Sequence, residues 1–438
     1  MRATRTIRRA ASVAGLLAVT SGLAGWSATP AVPIAVAAED EPARPTVEEM
    51  RLDRPIPGRP GPMAAQIVEQ AGFTPLVDDF ARDLRRTHGP GPVDRLVRRY
   101  GEHLWRAAVR RAQGPADTRP GALPVDDDRP LYWARLTLTR TLRQWQPPFP
   151  ATAAQQAAWQ KRLEYTSRGL TTSRFPVRPG VRRLFVSGFD PFGLDTEIRT
   201  GNPSGASALQ LDGRTFTTDG VRVQVQAVLL PVRYADFDQG FVEAAFGPHL
   251  RPGRQRADLV STTSQGRLGR FDLEVFNGRR RSTTYPDNQN EAGGGTATRP
   301  VVFPGVGPGA EFIRSTLPLG PMQAAGSAGP FPVIVHTGVV EIPLGATAPV
   351  TRPDGPTEGS TAVEGGGGSY LSNESAYRVT RLLTTVATPP PGGHVHVPVM
   401  SFGPDNTDEI TDPVFESNRA AIVAETRSIL LAGVKAVR

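Results

Sequence analysis

The chain has 438 residues, 39% hydrophobic and 21% charged, enough for two soluble globular domains, and its 46 glycines and 43 prolines predict many loops. It contains no cysteine, which excludes disulfides, thiolate metal sites and a cysteine nucleophile. The formal charge of +8 includes four arginines, Arg2, Arg5, Arg8 and Arg9, in a leader without acids, so +4 remains beyond it; that bias is too weak to argue for a nucleic-acid partner.

Those arginines precede an apolar run from Ala11 to Ala24 and small residues at Ala35, Val36, Ala37 and Ala38. This is the layout of an export signal over residues 1–38, with cleavage near Ala38. The Arg8-Arg9 pair suits twin-arginine export, while the residues after it fit ordinary secretion better. No later stretch is apolar enough to span a bilayer. The expectation is a protein that is secreted or held at the cell surface, with no membrane partner once the signal is removed.

A Pro-rich acidic linker, Glu39 to Pro45, opens a region over residues 39–176 of helical character. Val93, Leu96, Val97, Tyr100, Leu104, Ala108 and Val109 recur at helical spacing, with arginines filling the other faces. Weaker patterns cover Ala64 to Ala71, Leu131 to Trp145 and Ala154 to Tyr165, and Pro/Gly pairs separate them. The role of this region is open between a pro-region, a lid, a docking module and a plain extension packed on the main domain.

Over residues 177–438 short β-rich runs alternate with helices. Leu184 to Ser187, Val221 to Leu230, Leu259 to Ser261, Val333 to His336 and Val395 to Val397 read as strands. Ser204 to Leu211, Tyr234 to Phe246, Ala310 to Thr316, Glu374 to Val386 and Val414 to Leu431 read as helices. This alternation predicts an α/β fold, a three-layer, mostly parallel twisted sheet with helices on both faces, preceded by the α-helical N-terminal region. Ligand sites then belong at the carboxyl ends of strands. Gly/Pro-rich stretches at 288–308 and 345–368 read as loop insertions.

Four places could carry chemistry. The first strand runs into Gly188-Phe189-Asp190-Pro191-Phe192-Gly193, and Asn202-Pro203-Ser204 has the residues of a helix cap followed by proline at the first helical position. Glu274 lies in Phe271-Asp272-Leu273-Glu274-Val275, with Asp272 two residues upstream as an alternative acid. His396 stands in His396-Val397-Pro398, and His394 shares its side-chain parity in a strand. Ser372, in Leu371-Ser372-Asn373 behind Gly365 to Gly368, suits either a helix N-cap or a nucleophile at a helix start. The six histidines do not form a metal constellation, and no phosphate loop is present, so no metal or cofactor is expected.

Taken together and in order, these segments resemble the type I pyroglutamyl peptidases. The Gly-Phe-Asp-Pro-Phe-Gly opening, Leu230-Pro231-Val232, Pro286-Asp287-Asn288, Ser315-Thr316-Leu317-Pro318, His396-Val397-Pro398 and the serine before Asn373 follow that family's order. The resemblance implies a catalytic acid at Glu274, a base at His396 and a nucleophile at Ser372, where the family carries cysteine. It implies substrate contacts at Phe189 and Phe192, which would wall a lactam ring, and at Gln265 in Ser264-Gln265-Gly266-Arg267, which is similar to the family's glutamine-bearing turn. The expected activity is removal of N-terminal pyroglutamyl residues from peptides. The alternatives are an inactive relative that binds pyroglutamyl or other peptide ends, and an amide hydrolase of changed specificity.

Overall fold

The computed structural model describes residues 43–437, so the expected export signal lies outside the described residues. The helical region comprises α1 (Val47–Met50), α2 (Met63–Gln70), α3 (Thr74–Arg85), α4 (Pro90–Gln113), α5 (Arg129–Gln144) and α6 (Ala153–Thr166). Helix α6 begins at a capping box, in which Thr152 accepts from Gln155 N and the Gln155 side chain reaches back. The inner stripe of α4, from Val93 through Leu104 and Trp105 to Ala112, is buried as its spacing predicts.

The remainder follows in chain order as β1 (Val181–Phe189), α7 (Pro203–Leu211), β2 (Thr215–Thr218), β3 (Val221–Leu230), α8 (Tyr234–Asp238), α9 (Phe241–Leu250), β4 (Leu259–Gln265), β5 (Phe271–Glu274), β6 (Phe276–Gly278) and β7 (Arg280–Arg281). Next come β8 (Val301–Val302), β9 (Phe312–Arg314), α10 (Leu319–Gly326), β10 (Val333–His336), β11 (Val339–Ile342), β12 (Val350–Arg352), β13 (Thr361–Glu364), α11 (Leu371–Leu383), β14 (Gly392–Val397) and α12 (Pro413–Ala436). The main sheet has the order β10-β5-β14-β4-β1-β3-β2. It is mixed: β14 runs antiparallel to β5 and β2 antiparallel to β3, and the other neighbours are parallel. With its covering helices it is an α/β fold.

Alternation along the strands feeds two cores. Leu184 and Val186 of β1 and Val223, Val225 and Ala227 of β3 join a cluster with Leu209 of α7 and Ile422 of α12. Phe185 and Phe189 of β1 and Val228 and Leu230 of β3 point the other way, to Phe241 and Phe246 of α9 and Val379 of α11. A side-chain period of two makes this inevitable once both faces are covered. The first cluster also takes in Leu96, Trp105 and Trp133 of the helical region, so those helices share a core with the sheet. Burying a side chain of Leu or Phe size contributes roughly 2–3 kcal/mol, so this seam joins the two regions firmly. Trp105 closes it, donating from Nε1 to Asp212 at 3.1 Å.

Several elements differ from the sequence expectation. Ala310 to Thr316 is not a helix: Phe312–Arg314 forms β9, antiparallel to β6, because a short apolar run takes its conformation from the partner it meets. The expected helix from Tyr234 to Phe246 is two, broken at Gly240, whose φ of 79° no helix interior allows. The stretches read as loops contain β8, β12 and β13, and β12 and β13 flank β11 in a three-stranded antiparallel sheet. No helix among the described residues is long and apolar enough to cross a membrane.

Candidate active site

The carboxyl end of β1 leads into a turn that is tied down from Phe189 to Pro191. Phe189 N donates to Ser204 Oγ at 3.0 Å, Asp190 N to Leu230 O at 3.1 Å, and Asn202 Nδ2 to Asp190 O at 2.9 Å. Asn202 also caps α7 by accepting from Ser204 N, with Pro203 at the first helical position as expected. Asn288 Nδ2 donates to Pro191 O at 2.9 Å. Phe189 and Phe192 therefore project from a fixed turn. Together with Asn202, Val232, Ser264, Gln265, Tyr370, Leu371 and Ser372 they line a narrow cleft of ≈ 20 Å³. That is room for about one water molecule, so a larger group enters only as the walls part.

Gln265 Oε1 is buried in this cleft without a hydrogen-bond partner. A buried acceptor left unpaired costs free energy that a donating ligand would return.

Ser372 is not the N-cap of α11. The cap is Tyr370, the helix begins at Leu371, and Ser372 is the second helical residue. Its neighbour Asn373 anchors the helix start to β6, accepting from Gly278 N at 2.8 Å and donating to Gly278 O at 2.9 Å. Ser372 Oγ makes no hydrogen bond to any described residue, His396 included, and the residue is half-buried at the cleft wall. The backbone N–H groups of this first turn have no intrahelical acceptor.

One strand beyond the cleft, His396 lies in register with Ser264, on β14 beside β4. His396 Nδ1 meets Glu274 Oε1 at 2.7 Å. Asp272, the alternative acid, is instead engaged by Arg267 at 2.6 Å and by Arg270 at 3.0 Å. His394 is fully buried between Thr262 Oγ1 at 2.7 Å and Ser264 Oγ at 2.9 Å, and burial pushes its imidazole well below the ordinary range. It is a core histidine.

Glycines let these parts approach. A Cβ on Gly366 would stand 2.1 Å from Glu274 Oε2, one on Gly365 2.1 Å from Asn373 Oδ1, and one on Gly266 2.6 Å from the His396 ring. The run from Gly365 to Gly367 is thus a close packing surface between the carboxylate and the start of α11.

The sequence reading missed His336, whose Nδ1 meets Glu274 Oε2 at 2.7 Å. The one available signal was its place at the carboxyl end of a strand.

A domain model described as the PA0049 N-terminal domain matches residues 28–164, and one described as the PA0049 C-terminal domain matches residues 183–310 and 335–401. Similar solved structures include a pyrrolidone carboxyl peptidase from Pyrococcus furiosus, 18% identical with a TM-score of 0.40 over 58% of this chain and 100% of its own. Bacillus amyloliquefaciens pyroglutamyl peptidase I is 16% identical, with a TM-score of 0.38 over 58% of this chain and 97% of its own. The uncharacterized protein PA0049 of Pseudomonas aeruginosa is 35% identical over 526 residues, covering 95% of each chain. The chain belongs to the PA0049 family.

In this PA0049 family member the shared carboxylate also sets a pH limit. Burial raises the Glu274 carboxyl, but hydrogen bonds from His336 and His396 outweigh it and bring the group from 4.5 down to about 2. A depressed carboxyl stabilises the folded chain above its unfolded value and loses that contribution as pH falls through the folded value. Stability should therefore fall between pH about 4.5 and about 2, and more steeply than in Glu274→Gln, as read from urea unfolding at each pH. Parallel curves for the two proteins would show that this carboxyl is not depressed.

Proposed function

We propose that this PA0049 family protein is a secreted hydrolase that removes N-terminal pyroglutamyl residues from peptides. On this reading residues 177–438 form a three-layer domain of the pyroglutamyl-peptidase type, and residues 39–176 are its helical extension. The observation that carries the reading is the Glu274–His396 hydrogen bond next to a cleft where Ser372, two phenylalanines and an unpaired Gln265 carbonyl converge.

The chemistry follows from those groups. Phe189 and Phe192 offer apolar walls to a flat lactam, and Gln265 Oε1 accepts from the lactam N–H. Ser372 Oγ attacks the pyroglutamyl carbonyl while His396 Nε2 takes its proton, and Glu274 holds the imidazole by Nδ1 and stabilises the imidazolium. The free N–H groups at the start of α11 receive the developing oxyanion. His396 then passes the proton to the leaving amine, and water, deprotonated by the same imidazole, releases pyroglutamate. Serine cannot rest as an anion as a thiol can, so the step depends on Ser372 meeting His396 once substrate fills the cleft.

The missing Ser372–His396 hydrogen bond favours a second reading, a protein that binds pyroglutamyl ends without cleaving them. A fluorogenic pyroglutamyl amide separates the two. Cleavage by the wild type and none by Ser372→Ala supports the hydrolase, and unchanged cleavage by Ser372→Ala overturns the nucleophile. Saturable binding of pyroglutamate with no turnover in either supports the binding protein. Turnover only in Ser372→Cys would show working machinery around an incompetent hydroxyl.

A further inference from the structure

We propose that His336 is a positioning residue of this site, which holds Glu274 by its second carboxylate oxygen so that the first is presented to His396. The inference deepens the reading of Glu274 and His396 as the acid–base pair and rests on it. Glu274 is the last residue of β5, its side chain fully buried, and both carboxylate oxygens accept from an imidazole Nδ1 at 2.7 Å. An ionised carboxylate only accepts, so both imidazoles carry their proton on Nδ1 and leave Nε2 free.

The arrangement is produced by strand register. His336 pairs with Glu274 across the parallel β10–β5 ladder, and Val275 N donates to His336 O at 3.0 Å, so the His336 backbone is pinned beside the carboxylate it holds. On the other side β14 runs antiparallel, with His394 opposite Glu274 and His396 opposite Asp272. His396 must therefore reach diagonally to Glu274. A carboxylate held only along that diagonal could turn about its last torsion. The bond to His336, with Gly366 packed against the same oxygen, removes that freedom.

The two imidazoles also differ in access. The His336 side chain is 21% exposed and that of His396 7%. Other charged or titratable groups around the carboxylate are Arg267, 3.9 Å from Oε1, Asp272 bound by Arg267 and Arg270, and His394, whose ring centre is 4.7 Å from that of His396. Glu364 on β13 is held up by burial and interacts with Arg267. None of these takes the second oxygen. A carboxylate free to turn holds a protonated His396 less well than one fixed by a donor at Oε2.

The test is an NMR titration of the histidine rings in the full chain, which has six histidines, assigned with His396→Asn. In His336→Leu the His396 midpoint should fall by about half a pH unit or more. His336→Asn, which can place an amide donor where Nδ1 stands, should bring it back toward the wild-type value. An unmoved midpoint in folded His336→Leu, or one equally displaced in His336→Asn, overturns the inference. Because the titration needs no turnover, a shift in a protein that cleaves no pyroglutamyl amide would leave His336 in place and sink the hydrolase reading alone. If amide is cleaved, kcat should fall by roughly tenfold or more in His336→Leu with little change in KM, since a turned carboxylate misplaces the base rather than the substrate.

Discussion

On the proposed hydrolase reading, Glu274→Gln is expected to lower turnover of a pyroglutamyl amide by about 10⁴-fold, with KM nearly unchanged. The side chain keeps its shape but offers one acceptor and one NH₂ where two imidazole N–H groups now donate at 2.7 Å. One imidazole must move its proton to Nε2 or leave a clash of donors. If that ring is His396, its Nε2 can no longer take a proton from Ser372. If it is His336, His396 keeps its tautomer but loses the negative charge that stabilises its imidazolium, which is the larger part of the carboxylate's service. Both routes strike the transition state and not the cleft walls, so the loss belongs in kcat. A loss below tenfold would remove Glu274 from the reaction and reopen the role of His396.

Arg135→Ala is expected to cost about 3–5 kcal/mol of stability. Asp190, between the two cleft phenylalanines, is fully buried and bridges Arg135 of α5 and Arg168, each at 2.5 Å. Removing Arg135 leaves that carboxylate with one cation and opens a hole between α5 and the turn after β1. Arg135 is itself an expensive tenant: its Nε and Nη1 lack hydrogen-bond partners, and burial lowers its proton affinity. Arg135→Met combined with Asp190→Asn should therefore recover part of the loss, because Arg168 keeps Glu164 at 2.9 Å. Urea unfolding measures both variants, and a cost under about 1 kcal/mol for Arg135→Ala would show that this bridge does not hold the helical region to the sheet. In the single variant KM should rise more than kcat falls, since the loosened turn carries Phe189 and Phe192.

The same bridge gives the helical region a structural account that its sequence lacked. Arg233 contacts both Glu164 and Glu48, and Glu48 accepts from Tyr132 and from Asn288, which in turn donates to the carbonyl of Pro191. A chain of buried charges thus runs from α1 and α5 to the cleft turn. Arginines and acids scattered over 185 residues of sequence do not advertise such partners, because which charge meets which depends on packing.

What could be read beforehand was local or ordered along the chain. Periodicity located α4, β3 and β10, and the Asn202-Pro203 cap was legible because a cap is made within a few residues. The run of motifs pointed to Phe189, Phe192, Gln265, Ser372, Glu274 and His396, and the structure puts four of these in one cleft and joins the other two. Short strands such as β9, β12 and β13 were not legible, since three residues carry too little pattern and acquire their conformation from a distant partner.

By itself, the sequence determined the missing thiol, the alternation of strand and helix, and the residue types available for a serine-based site. The tertiary structure alone decided that Ser372 lies inside the helix and does not cap it, that His336 shares Glu274 with His396, and that Asp190 is gripped by Arg135 of α5. The reason is strand register and packing: a hydrogen bond between residues 62 positions apart, as from His336 to Glu274, exists only after β10 and β5 have paired.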